Sequence, residues 1–239
     1  MFKASYNIFN KLRYQTFRPF YDFIIYNKSK IKKLFRKHFL QILAKKNFYK
    51  NYNIQFPQSV PFKYIDYIDL NNLIETIKKN KPKTVLELGS GYSTYVIIYA
   101  LNEVHNDNDF EFFSVDQTKE YQEVLIRDFP EKYKKQINFI HRKIYVEKFK
   151  NQEMSFFENL PNKKFDFIYE DRMDHPEALI AGDIIKFEND MIKKHDDFFF
   201  TIDGMFPTIK FYTKNLVYNY KFDVRSFSGI NFFKENKKN

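Results

Sequence analysis

Thr84-Val-Leu-Glu-Leu-Gly-Ser-Gly-Tyr-Ser-Thr94 constrains this chain more than any other stretch of it. Thr84 to Leu88 is a short apolar, β-branched run that stops at a glycine, which is the pattern of a buried strand. An apolar segment follows from Thr94 to Leu101, with Ser93 placed to cap its N-terminus as a helix. A strand that passes through a glycine turn into a helix opens a parallel α/β unit. Glycines let the backbone come close to a ligand, and the amides at a helix start attract a carboxylate or phosphate. A tight turn that binds nothing has the same local sequence, so the remainder of the chain must decide between the two.

The alternation continues downstream. Phe110 to Asp116 reads as the next strand and ends in an acid. Thr118 can cap the following helix, where Tyr121, Val124, Leu125 and Phe129 share a stripe before Pro130 stops it. Ile137 to Lys143 and Phe165 to Asp171 read as a third and fourth strand. Asp174 and Glu177 have capping-box spacing around Pro176, opening a helix with Ile180, Ile184, Phe187 and Met191 on one side. Phe198 to Asp203 is a fifth strand, closed by Gly204. Strands separated by helices imply parallel pairing, because parallel neighbours need a long crossover. Leu216 to Arg225 and Gly229 to Lys234, joined by Ser226-Phe227-Ser228, break the rhythm and predict a terminal hairpin. The expected fold is α/β: a doubly wound, mostly parallel seven-stranded sheet with a terminal antiparallel hairpin.

Charge divides the chain. Residues 1–50 hold 13 Lys or Arg against the single acid Asp22, whereas the rest is close to neutral, so the net charge of +10 resides in an N-terminal arm. From Lys30 to Lys46, Ile31, Leu34, Phe35, Phe39 and Ile42 recur at helical spacing, with Lys32, Lys33, Arg36 and Lys37 mostly on the other side. This basic amphipathic helix is either packed on the main domain or laid on an anionic membrane surface. Nucleic acid is the weaker expectation, since basic residues alone attract it without specificity. The pattern changes beyond Pro57, which predicts an arm over 1–57 and a domain over 58–239. There are no cysteines, excluding disulfides, thiolate metal sites and cysteine nucleophiles. No run reaches the ~18 apolar residues of a membrane span. Both readings lead to the expectation of a cytoplasmic protein, peripheral to a membrane if the arm binds one.

Two features give the glycine turn its meaning. Asp116 closes the strand after the turn, where an open α/β sheet places an acid to hold the two hydroxyls of a ribose. The terminal hairpin departs from nucleotide-binding sheets of the dehydrogenase kind, which end in parallel strands. With Glu87-Leu-Gly-Ser-Gly91, Asp116, the Asp166 to Asp171 strand and the reversed last strand, residues 58–239 resemble the class I S-adenosylmethionine-dependent methyltransferases. Gly91-Tyr92-Ser93 is further similar to the catechol O-methyltransferase-like branch. The resemblance implies S-adenosylmethionine as cofactor, held by Glu87, Gly89, Ser90, Gly91, Tyr92, Ser93 and Asp116. It implies that Glu87 lies near the methionine amino group, Ser93 near the methionine carboxylate, and Asp116 on the ribose. That branch also binds Mg²⁺ through an aspartate after strand four and an Asp-Asn pair after strand five. Here Asp171 and Asp203 are the metal candidates, but Gly204 replaces the asparagine, so a divalent metal is not favoured.

Methyl transfer from a sulfonium is an in-line displacement, so positioning supplies much of the catalysis and at most one base removes a proton. Asp171 is the expected base because it ends a central strand; Glu170, His175 and Asp203 are the other candidates. His38, His105, His141 and His195 have no metal-ligand spacing. The expected activity is methyl transfer to an oxygen or nitrogen of an unidentified acceptor. A methyltransferase-like scaffold without turnover and a nucleotide-dependent oxidoreductase are the rival readings.

Overall fold

The structure, a computed structural model, describes residues 30–57, 65–106, 109–172, 180–191, 198–224 and 230–235. Two units divide after Asn51. The first contributes helix α1 (Lys30–Asn51), which starts at the residue the sequence pattern proposed and runs five residues past Lys46. No helix among the described residues is long and apolar enough to cross a membrane.

The second unit begins with residues 52–57, which pack on its outer helices. Tyr52 donates its hydroxyl to Glu75 (2.8 Å) and meets the Tyr99 ring edge-on, while Phe56 contacts Tyr92 and Tyr95. Helix α2 (Tyr67–Asn80) is capped by Asp66, whose carboxylate accepts the amides of Ile68 and Asp69. It buries Leu70, Leu73, Ile74 and Ile77. The chain then enters β1 (Thr84–Leu88), α3 (Tyr92–Val104), β2 (Glu111–Asp116), α4 (Lys119–Asp128), the single turn α5 (Glu131–Lys134) and β3 (Ile137–His141). After β4 (Ile144–Phe149) and β5 (Gln152–Phe157) come β6 (Phe167–Glu170), the short helices α6 (Asp183–Lys186) and α7 (Glu188–Met191), β7 (Phe199–Ile202), α8 (Phe206–Asn215), β8 (Tyr220–Val224) and β9 (Ile230–Lys234).

Among the described residues, seven strands form one sheet in the order β3-β2-β1-β6-β7-β9-β8. β1, β2, β3, β6 and β7 are mutually parallel, and β9 runs antiparallel between β7 and β8. The anticipated doubly wound sheet and its terminal hairpin are therefore both present. The chain moves outward from β1 to β3 and then returns to β6 on the other side of β1, so the topological switch lies between β1 and β6. In an open α/β sheet, ligands bind beyond the carboxyl ends of the strands at that switch.

Phenylalanine builds the right half of the sheet. Phe167, Phe199 and Phe233 stack in succession on one face, with centroids 4.4 and 5.5 Å apart. Phe200 and Phe232 stack at 4.4 Å on the other, where Tyr212, Tyr220 and Phe222 meet them edge-on. Cross-strand pairing turns this composition into a rigid layer. Asp166 locks the start of β6 to β1 by accepting the amides of Lys83 and Thr84 (3.0 and 2.9 Å).

Local expectations need correction. The helix expected to carry Ile180, Ile184, Phe187 and Met191 on one side is two short helices, α6 and α7, that break at Phe187, and Ile180 precedes both. β4 and β5 form a separate antiparallel hairpin that the strand-helix pattern did not reveal. Their two-residue loop, Lys150-Asn151, has positive φ at both positions (49° and 62°), as a type I′ turn requires. Lacking glycine, it carries a faint sequence signal. Ser93 is not the N-cap of α3: Gly91 holds that place, and Ser93 lies two residues inside. Thr118 precedes α4, but its side chain makes no capping bond there. The Asp174-Glu177 capping box, His175 and the Ser226-Phe227-Ser228 link lie outside the described residues.

Candidate functional site

Gly89 is where the backbone must be bare. Its φ is +103°, and a Cβ there would lie 2.2 Å from the carbonyl oxygen of Asp171 and 2.8 Å from Cα of Arg172. Its amide donates to Val115 O (2.8 Å), and the Asp171 amide donates to Leu88 O (3.0 Å). The turn thereby draws the carboxyl ends of β1, β2 and β6 to one point.

Glu87 sits beneath this turn, fully buried. Ser93 Oγ donates to Oε1 (2.6 Å), while Thr94 Oγ1 (2.7 Å) and Ser114 Oγ (2.6 Å) donate to Oε2. Thr94 Oγ1 also accepts the Gly91 amide (2.8 Å), so its hydroxyl relays the carboxylate to the helix start. Because Ser114 gives its proton to Glu87, it accepts one from Ser90 Oγ (2.8 Å), and Gln122 Nε2 lies 3.3 Å from that Ser90 oxygen. Three hydroxyls on Glu87, with Ser90 and Gln122 joined through Ser114, thus shape the turn from below. Ser114, Thr94 and Gln122 were not singled out from the sequence; Ser114 shares the strand face of Asp116 two residues on, which was the available signal.

Burial outweighs the three hydroxyls and pushes the Glu87 carboxyl from its ordinary 4.5 up to about 7, with Asp116 a smaller contribution in the same direction. Between those values the folded state keeps a proton that the unfolded chain releases, so stability falls as pH rises from about 4.5 to 7. The wild-type melting temperature is expected to gain from this group on acidification from above 7 toward 5, and Glu87→Gln to show a smaller gain. Equal slopes in the two proteins, measured by calorimetry, would show that Glu87 stays charged in the fold.

Asp116 closes β2 and is almost buried. Its Oδ2 accepts the Ser90 amide (2.9 Å) and its Oδ1 the Thr118 amide (2.7 Å). Burial raises its pKa, and the amides of Thr118, Ser90 and Gln117 oppose that rise. A carboxylate has about four lone-pair sites, and these two amides fix its orientation while leaving capacity for further donors. Beside it, Gln117 Oε1 is buried and meets no hydrogen-bond donor among the described residues. His141 Nε2 lies 3.1 Å from Gln117 O and holds the backbone there; His105 Nε2 lies 3.0 Å from Pro82 O.

The end of β6 separates two adjacent acids. Asp171 is exposed at the mouth of the switch, whereas Glu170 points inward and is fully buried. Glu170 faces Arg172 (3.7 Å) and accepts the Tyr212 hydroxyl (3.4 Å). Arg172, also buried, reaches Asp183 (3.0 Å) and donates to Ser155 O (2.6 Å). Asp183 accepts the Phe157 amide (2.9 Å). Glu170 therefore belongs to a buried ionic cluster and does not present its carboxylate to a substrate. Asp203, at the end of β7, accepts the Tyr169 hydroxyl (3.3 Å). No group of three or more His, Asp or Glu side chains that could hold a metal ion occurs among the described residues.

Strand order, the reversed β9 and the glycine turn together make a fold that solved structures of methyltransferases share. A methyltransferase from Podospora anserina, solved with SAH bound, matches over 87% of this chain and 97% of its own at a TM-score of 0.54 and 12% identity. The O-methyltransferase TomG from Streptomyces achromogenes, involved in tomaymycin synthesis and solved with SAM, matches over 81% and 96% at a TM-score of 0.50 and 9% identity. Sequence comparison finds no matching family model and no matching curated protein. The property shared with these proteins is the fold.

Proposed function

We propose that this chain binds S-adenosylmethionine at the carboxyl ends of β1, β2 and β6 and transfers its methyl group to an oxygen or nitrogen of an acceptor. The observation that carries the reading is Asp116: a carboxylate at the end of β2, pinned by two backbone amides beside the Gly89 turn and one strand from the sheet's switch point. That is the position from which an acid accepts the paired hydroxyls of a ribose. Gln117 Oε1, buried and unsatisfied next to it, fits a ligand with polar hydrogens. Two proteins sharing the fold were solved with SAM or SAH, which supports the same choice here.

The cofactor supplies a methyl group on a sulfonium, ready for displacement. In this reading Asp116 orients the nucleoside end, and Gly89, Ser90, Gly91, Tyr92 and Ser93 line the methionine end. Ser93 donates its hydroxyl proton to Glu87, so toward a ligand it presents an oxygen that accepts. Glu87, covered by the turn, acts by holding that turn in shape. Asp171 is exposed where the acceptor would approach, which suits a group that orients a hydroxyl or amine and takes its proton as the bond to carbon forms. With geometry doing most of the work, the expected catalytic share of such a base is roughly 10²- to 10⁴-fold.

Asp116→Ala should weaken cofactor binding by about 1 to 3 kcal/mol, the cost of leaving buried polar groups without a partner. Isothermal calorimetry with S-adenosylmethionine and its demethylated product reads this directly. Unchanged affinity in a folded variant would mean that another residue holds the ribose. Binding of a nicotinamide dinucleotide, with neither cofactor form bound, would end the methyltransferase reading.

A further inference from the structure

Helix α1 carries eight Lys or Arg and no acid across its 22 residues. From Phe39 to Asn51, Phe39, Ile42, Leu43 and Tyr49 are exposed at 60, 53, 41 and 46%. At about 100° per residue these four fall in an arc of about 120° on the helix surface. They are also four of the seven large apolar side chains left exposed among the described residues; the others, Phe206, Val217 and Phe222, belong to different elements. Apolar exposure is thus concentrated on the most cationic of the described elements. Lys46 and Lys50 fall within the same arc, where long aliphatic stems can lie along apolar surface while the ammonium groups reach water.

We propose that α1 docks on an anionic lipid bilayer, with the Phe39-Ile42-Leu43-Tyr49 arc at the boundary between headgroups and acyl chains and the lysines among lipid phosphates and carboxylates. Charge complementarity selects the surface, and the exposed arc selects lipid over nucleic acid. A polyanion would satisfy the lysines but would leave the arc in water. Helices that lie in the interface need both terms, since each alone binds weakly.

The test uses the full chain, co-sedimented with phosphatidylcholine vesicles that contain or lack phosphatidylserine. The chain should pellet with the phosphatidylserine vesicles, stay in solution with the neutral ones, and be released as salt rises. Removing three charges with Lys45→Gln, Lys46→Gln and Lys50→Gln together should weaken binding roughly 100-fold. Phe39→Ser with Ile42→Ser should weaken it at least roughly 10-fold while leaving the salt dependence intact. A melting curve on each variant excludes misfolding, and the salt titration of the unmodified chain needs no variant. The proposal is overturned if the chain fails to pellet with anionic vesicles or pellets equally with neutral ones. It is also overturned if the chain binds duplex RNA or DNA as tightly as vesicles and the Phe39 and Ile42 changes alter neither.

Discussion

Gly89→Ala is expected to leave little folded protein. The backbone at Gly89 has φ +103°, a conformation that costs a side-chain-bearing residue on the order of 1 to 3 kcal/mol. The larger penalty is steric, because the new methyl would lie 2.2 Å from the Asp171 carbonyl oxygen, and that oxygen belongs to backbone held by the β1–β6 pairing. The two together should exceed roughly 4 kcal/mol, the exceptional end of single-residue effects and a large share of a typical stability of about 5 to 15 kcal/mol. Gly204 is the internal control. It also has positive φ (71°), but nothing lies within 4 Å of its Cβ position, so Gly204→Ala should cost only about 1 kcal/mol. Urea titration of both variants separates conformational strain from overlap; comparable losses at the two positions would refute the close approach at Gly89.

Arg172→Met should be nearly as damaging, for an electrostatic reason. The guanidinium lies buried between Glu170 and Asp183. Its removal leaves two acids in the core with no opposing charge, and breaking a buried pair in this way costs about 3 to 5 kcal/mol. Burial already raises both carboxyls, Glu170 to about 7, with Arg172 the chief opposing influence. Without it both rise further. Acids with raised folded-state pKa lose stability as pH increases, so the variant should be least stable above about 7 and recover toward pH 5. A denaturation series from pH 5 to 8 reads the slope. A variant with the wild-type slope would show that Arg172 does not neutralise these acids in the fold.

The two predictions concern residues of very different visibility. Gly89 announces itself in the sequence, because a glycine that ends a β-branched run and precedes a helical segment has a local cause. Arg172 does not. It comes two residues after a strand-ending acid, and nothing near it in the chain mentions Asp183 or Ser155. The same contrast holds within the site. Asp116 is legible from its place at the end of the second strand, whereas the dependence of the turn on Ser114 and Gln122 requires knowing that β2 lies beside β1.

The resemblance implies that Glu87 lies near a ligand; the fold adds what the sequence could not, a carboxylate buried under the turn with three hydroxyls on it. Glu170 and Asp171 are likewise adjacent acids with different surroundings: β6 is buried throughout and ends at Glu170, and Asp171, just beyond it, is exposed. The β4–β5 hairpin leaves little trace in the sequence because Lys150-Asn151 adopts the left-handed pair without glycine.

What the chain determines by itself is therefore whatever is written at short range: strand and helix periodicity, the bare glycine, the acid closing β2, the concluding hairpin and the basic, acid-free helix. Strand order, the insertion of β9 between β7 and β8, and the burial of Glu87, Glu170 and Arg172 were decided by tertiary structure. Those depend on contacts between residues far apart in sequence, and a buried polar group is recognisable only once the partners that satisfy it have been brought together.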